Sequence, residues 1–113
     1  MPDSLPEIRI KSYNEYLLIQ FFHLRELDLY NARDLERLFK LKNQEGCSDY
    51  IIDLAPIQYI DSSGLGILAA QGSVLQKKSK KLKLISISNS VAHIFRVSGF
   101  ERLFEIYPNI SHI

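Results

Sequence analysis

The chain has 113 residues, 46% of them apolar and 24% charged, and its 14 Lys+Arg against 13 Asp+Glu leave a net charge of +1. That size suits a single domain over residues 1–113 with one core of its own, and the balanced charge argues against a dedicated nucleic-acid binder. One cysteine, Cys47, excludes an internal disulfide framework and fits a reducing compartment. The longest apolar stretch, Tyr16 to Leu24, is interrupted by Gln20 and His23 and falls short of the ~20 residues that span a bilayer. Met1-Pro2-Asp3-Ser4 carries no charged-then-apolar export signal, so a cytoplasmic location away from membranes is expected.

In chain order, Ile8-Arg9-Ile10 alternates as a half-buried strand does, Tyr13-Asn14-Glu15 reads as a turn, and Tyr16 to Phe22 is rich in strand formers. The two runs predict an antiparallel hairpin. Asn31 is a candidate N-cap for a first helix, followed at helical spacing by Leu35, Leu38 and Phe39, with Glu36 able to pair with Lys40 and Gly46 closing the far end. Tyr50 to Leu54 predicts a buried strand ended by Pro56. From Ser62 to about Lys78 the period is again helical, with Leu65, Leu68, Ala69, Gly72 and Leu75 on one face. Leu82, Leu84, Ile85 and Ile87 predict another strand. Asn89 or Ser90 then caps a third helix carrying Val91, Ile94 and Phe95 and stopped by Gly99, and Phe104 to Tyr107 makes a last short strand. A hairpin followed by α-β-α-β-α predicts an α/β fold: a four- to five-stranded mixed sheet with helices packed on it.

Enzyme constellations are absent from the pattern. His23, His93 and His112 are dispersed, with no Cys or carboxylate at metal-ligand spacing, and neither a G-x-S-x-G elbow nor a Walker A loop occurs. Gly64-Leu65-Gly66-Ile67-Leu68-Ala69 matches G-x-G-x-x-A. Its preceding strand, however, ends at Leu54, too far upstream, and no acid stands about 20 residues on to bind a ribose. Lys77, Lys78, Lys80, Lys81 and Lys83 read as a solvated helix C-terminus that complements the macrodipole.

The loop Tyr59-Ile60-Asp61-Ser62-Ser63-Gly64-Leu65-Gly66 is unlike an ordinary helix start. Asp61 or Ser62 can cap the helix, yet Leu65 stands where a capping box after Ser62 would place Glu or Gln. Two glycines in the first turns disfavour a helix by ~1 kcal/mol each relative to alanine, and their physical use is to let another backbone approach closely. Two hydroxyls beside a bare surface at the positive end of a helix suit a serine that is modified or that receives a partner.

Asp61-Ser62-Ser63-Gly64-Leu65-Gly66, preceded by Ile51-Ile52-Asp53-Leu54 and Ile60, resembles the signature of STAS-domain anti-sigma factor antagonists. Arg25-Glu26-Leu27-Asp28 is similar to that family's second motif, and Val97-Ser98-Gly99-Phe100 with Leu103-Phe104 to its tail. The resemblance implies a STAS-like fold and a phosphorylation switch. The free form binds an anti-sigma factor, a serine kinase of the GHKL type, and so releases its sigma factor; a PP2C-type phosphatase reverses the modification. It further implies that Ser62 is the phosphoacceptor, that Asp61 and Ser63 shape its loop, that Gly64 and Gly66 permit docking, and that Asp28 takes part in partner recognition. The domain would then be a monomer that forms heteromers, a substrate and regulator without catalytic residues, cofactor or metal. The alternative output for the same fold is a non-switching scaffold in a signalling or lipid-transport complex. Two departures stand out: Arg25 occupies a position where many members carry glycine, and Ile110-Ser111-His112-Ile113 leaves no room for a final amphipathic helix.

Overall fold

The computed structural model describes residues 7–113; residues 1–6, including the stretch read as lacking an export signal, lie outside the described residues. Along the chain come β1 (Ile8–Tyr13), β2 (Tyr16–Phe21), β3 (Glu26–Leu27), α1 (Leu29–Gln44), β4 (Tyr50–Asp53), β5 (Tyr59–Ile60), α2 (Ser62–Gln76), β6 (Leu82–Ile85), α3 (Asn89–Ser98) and β7 (Phe104–Tyr107). The predicted hairpin is present: β1 and β2 pair antiparallel from Ile8↔Phe21 to Tyr13↔Tyr16 and turn through Asn14 at φ 52°, a left-handed conformation that Asn tolerates. β4, β6 and β7 then add in parallel, giving a five-stranded mixed sheet in the order β1-β2-β4-β6-β7. All three crossovers step in one direction across the sheet. With the right-handed crossover rule, this puts α1, α2 and α3 on one face, their N-termini beyond the ends of the parallel strands.

That face holds the core. Ile19, Phe21, Tyr50, Ile52, Leu82, Leu84 and Phe104 from the strands meet Leu35, Leu38 and Phe39 of α1, Leu68 and Leu75 of α2, and Val91 and Phe95 of α3. Each such side chain contributes roughly 1.5–3 kcal/mol by leaving water. The helical positions are those that periodicity picks out, apart from Leu65 and Ile94, which are only partly buried. The other face carries a smaller cluster, Leu18, Ile51 and Ile85, roofed by Tyr13, Tyr16, Tyr107, Ile110 and Ile113. Residues Ile110–His112 form a single 3-10 turn there, so the chain's last residues cover the second face without a helix.

Three local expectations change. The N-cap of α1 is Asp28, three residues before the predicted Asn31. Asp28 is extended (φ −123°, ψ −175°), so its carboxylate can accept from Tyr30 N and Asn31 N, while Asn31 Oδ1 accepts from Asp28 N at 2.8 Å. Asn31 is thus the return half of a capping box, not the cap. Likewise Ser88, not Asn89 or Ser90, caps α3, its hydroxyl accepting from Val91 N at 3.1 Å. β6 stops at Ile85, because Ser86 turns to φ 61°. Gly99 ends α3 as predicted, and does so in the left-handed conformation, at φ 78°.

Candidate functional site

β3 and β5 form a two-stranded parallel sheet of their own, Glu26↔Tyr59 and Leu27↔Ile60, extended by Asp61 N donating to Leu27 O at 3.0 Å. This clip brings the start of α2 beside the start of α1. At the end of β5, Asp61 is extended (φ −82°, ψ −179°) and its Oδ1 accepts from Gly64 N at 3.0 Å; of the two candidate caps, Asp61 is the one used. Ser62 is therefore the first helical residue, and its side chain is exposed. Its hydroxyl makes no hydrogen bond among the described residues.

Ser63 is half-buried and turned toward α1, where it lines a depression of about 300 Å³ with Leu29, Ala32, Arg33, Glu36 and Ile67. Gly64 and Gly66, paired in the sequence reading, separate in the structure. Gly66 is exposed, and a Cβ there would meet nothing within 4 Å. Gly64 is buried, and a Cβ would come within 2.7 Å of Leu27 Cβ and 2.8 Å of Leu27 O. The expectation that Gly64 admits a partner's backbone is thus corrected: the backbone that approaches it closely is β3 of the same chain. The same contact turns Gly64 away from any pyrophosphate that a dinucleotide fingerprint would cradle there.

Asp28 is half-exposed beside this loop. One carboxylate oxygen is committed to the cap of α1; Oδ2 makes no bond among the described residues and is free to meet a partner. Asn31 Nδ2 also donates to Glu26 O at 2.9 Å, tying the cap to β3. The two helix starts thus share one scaffold.

A buried polar link that the sequence reading missed holds α1 and α2 together further down. Gln71, only 3% exposed, exchanges two hydrogen bonds with Asn43 (3.0 and 3.1 Å), and the Tyr50 hydroxyl donates to Asn43 Oδ1 at 2.6 Å. Burial pushes the Tyr50 phenol well above its ordinary range, reinforced by the nearby Cys47. The signal was a glutamine among the apolar positions of α2. Glu36 and Lys40, expected to pair with each other, form no ion pair among the described residues. Of the lysine run, Lys80 pairs with Asp49 at 2.8 Å and Lys83 with Glu105 at 3.1 Å, while Lys77, Lys78 and Lys81 are exposed.

Chemically, the serine end offers an exposed primary hydroxyl on the first turn of a helix. His23, His93 and His112 are exposed and scattered, and no group of three or more His, Cys, Asp or Glu among the described residues could hold a metal ion. No described helix is long and apolar enough to cross a membrane.

Residues 13–113 match the STAS domain. The chain belongs to the STAS family. A relative from Staphylococcus epidermidis, an anti-sigma-B factor antagonist, is 31% identical over 81 residues, 72% of this chain and 75% of its own. Among solved structures, the STAS-domain anti-sigma-factor antagonist of Planctomyces limnophilus superposes with a TM-score of 0.83 at 16% identity, over 96% of this chain and 95% of that one. The unphosphorylated form of the anti-sigma factor antagonist SpoIIAA gives 0.72 at 19% identity over 89% and 88% of the two chains. The phosphorylated form, from Bacillus, gives 0.69 at 18% identity over 89% and 91%. The predicted α/β STAS fold is therefore the observed one, and the order of elements agrees with it.

Proposed function

We propose that this STAS domain is an anti-sigma factor antagonist switched by phosphorylation of Ser62. The observation that carries the reading is the state of the Ser62 hydroxyl: exposed, unbonded and on the first turn of α2, with Asp61 rather than Ser62 serving as the cap. A hydroxyl that capped the helix would be lost to the fold when modified; this one is spare. The names of the curated relatives, and the phosphorylated form known for SpoIIAA, support the same reading.

In this reading the unphosphorylated domain, a monomer of residues 1–113, binds a GHKL-type serine kinase that is also the anti-sigma factor, and so frees the sigma factor. Asp28, Asp61, Ser63 and Gly66 surround the contact, and a PP2C-type phosphatase resets the switch. The domain is a substrate and regulator, not an enzyme, and works in the cytoplasm. Phosphate at Ser62 adds about −1.5 to −2 charges at a helix N-terminus, which accommodates an anion, so the fold stays intact. The loss of binding arises at the interface, where the dianion must shed water against a surface shaped for a neutral hydroxyl. A penalty of ~3 kcal/mol there weakens affinity by about a hundredfold.

The test is incubation with ATP and the serine-kinase anti-sigma factor encoded by the same genome, followed by peptide mass spectrometry and a binding titration. One phosphate on Ser62 is expected, with near-native circular dichroism, about a hundredfold weaker binding, and constitutive binding by Ser62→Ala. Phosphate mainly on Ser63, or undiminished binding by the phosphorylated protein, would overturn the assignment. A non-switching scaffold would take up no phosphate at all.

A further inference from the structure

The six tyrosines divide between the fold and the surface. Tyr13, Tyr16 and Tyr107 roof the second face of the sheet, and Tyr50 is buried with its hydroxyl on Asn43. Tyr30 and Tyr59 are 78% and 54% exposed, and neither side chain makes a hydrogen bond or an aromatic contact among the described residues. A lone exposed aromatic is ordinary on a protein surface. These two are not scattered. Tyr30 is in the first turn of α1 and Tyr59 is in β5, and the β3–β5 clip sets those segments side by side. Leu29, 48% exposed, precedes Tyr30 and lines the same depression as Ser63. Little chain separates the patch from the serine. Tyr59 lies three residues before Ser62, at most about 11 Å of chain. Tyr30 lies three residues after Leu27, whose carbonyl accepts from Asp61 N.

We infer that Leu29, Tyr30 and Tyr59 are the apolar anchors by which the anti-sigma factor kinase grips the domain around Ser62, an inference that rests on the function proposed above. The occupant follows from position. A standard protein–protein interface covers about 800 Å² on each partner, a disc of about 16 Å radius. A footprint of that size laid over Ser62, where the kinase that phosphorylates it has to sit, takes in all three side chains. Tyrosine suits the task. Its large ring on two rotatable bonds gives much contact area for little lost side-chain entropy, and it is enriched where truncation weakens an interface most. The anchors also explain why charge at Ser62 matters to binding. In the complex a phosphate there is enclosed by two aromatic rings and a leucine, in a contact that excludes water. A dianion loses hydration in that place, and an apolar surface gives nothing in return.

Tyr30→Ala and Tyr59→Ala test this, because both side chains are exposed and should leave the urea midpoint near that of wild type. Each variant should bind the kinase that phosphorylates Ser62 about tenfold more weakly and raise the KM of that phosphorylation by a similar factor, with kcat within about twofold. Leu29→Ala should weaken binding about threefold. Tyr30→Phe and Tyr59→Phe keep the ring and should bind like wild type. So should Val97→Ala, which truncates a comparably exposed apolar side chain near the C-terminal end of α3. If Tyr30→Ala and Tyr59→Ala bind like wild type while phosphorylated wild type does not bind, the patch is no anchor and the switch stands. If the phenylalanine variants bind as weakly as the alanine ones, the hydroxyls make the contact and the apolar assignment is overturned. If the unphosphorylated wild type itself fails to bind the kinase, both readings fall. If sedimentation shows the isolated chain to be a dimer that Tyr59→Ala dissociates, the occupant is a second copy and the inference is overturned.

Discussion

The starts of α1 and α2 lie side by side, clipped by β3 and β5, and each is capped by an aspartate, yet they are finished differently. At α1 the cap is closed in both directions: Asp28 takes two amides and Asn31 returns a bond to the Asp28 amide. At α2 the Asp61 side chain takes one amide, and the next residue leaves its hydroxyl in water. A helix start that satisfies itself is architecture; one that is only half closed keeps chemistry available to another molecule. The glycines divide along the same line, Gly64 serving the packing of α2 on β3 and Gly66 lying open.

The glycine pair gives the largest expected effect. Gly64→Ala forces its methyl onto the Leu27 carbonyl oxygen and onto Leu27 Cβ, which is fixed to the same backbone and cannot swing aside, and should lower stability by about 3 kcal/mol in urea unfolding. Gly66→Ala meets nothing and should raise it by about 0.5–1 kcal/mol. Equal responses would erase the distinction between the two positions.

The two caps come next. Asp28→Ala should lower stability by about 2 kcal/mol, since it strips the acceptor from the Tyr30 and Asn31 amides, and Asp61→Ala, which strips it from the Gly64 amide alone, by about 1 kcal/mol. Asp28→Asn keeps a capping oxygen while removing the charge. It should melt within about 0.5 kcal/mol of wild type and still bind the kinase more weakly if the free Oδ2 meets the partner. Normal binding by Asp28→Asn would confine Asp28 to architecture.

A further test addresses what joins α1 and α2 beyond their starts. Tyr50→Phe removes the hydroxyl bonded to Asn43 and should lower stability at neutral pH by about 1 kcal/mol. Its pH signature is sharper. Burial raises the folded-state pKa of Tyr50, so above pH ~10 the unfolded chain releases this proton and the folded protein does not. Stability contributed by the neutral phenol is complete below pH ~10 and is lost as pH rises beyond it. Denaturation at pH 8 and pH 10.5 should show a smaller alkaline loss for Tyr50→Phe than for wild type.

Legibility in the sequence followed the length scale of the interactions. Helices with a clear apolar stripe and strands of four or more residues could be placed, and with them the five-stranded sheet. The serine loop stood out because its glycines and hydroxyls break the rules of an ordinary helix start. What escaped depends on contacts that no period reveals. β3 and β5 are two residues each, too short to alternate, so the clip that sets Gly64 against Leu27 left no trace. Asn31 looked like a cap because the box here returns through Asn where Glu or Gln is usual. The Asn43–Gln71 pair joins residues 28 apart, and only the oddity of a glutamine on an apolar face hinted at it.

The strand order β1-β2-β4-β6-β7 has a consequence for how the molecule is made. Each strand of the main sheet pairs with the one that precedes it in that sheet, so no strand must wait for a distant segment before finding its neighbour. Loop-closure entropy stays low at every step, and topologies built this way fold faster than those dominated by distant pairings. On a ribosome, the β1–β2 hairpin can form first and each βα unit can be laid beside it as it emerges. The serine loop, midway along the chain, acquires its Leu27 support from residues already synthesised, while the second face of the sheet is covered from both sides of it in sequence, by Tyr13 and Tyr16 before the loop and by Tyr107, Ile110 and Ile113 after it.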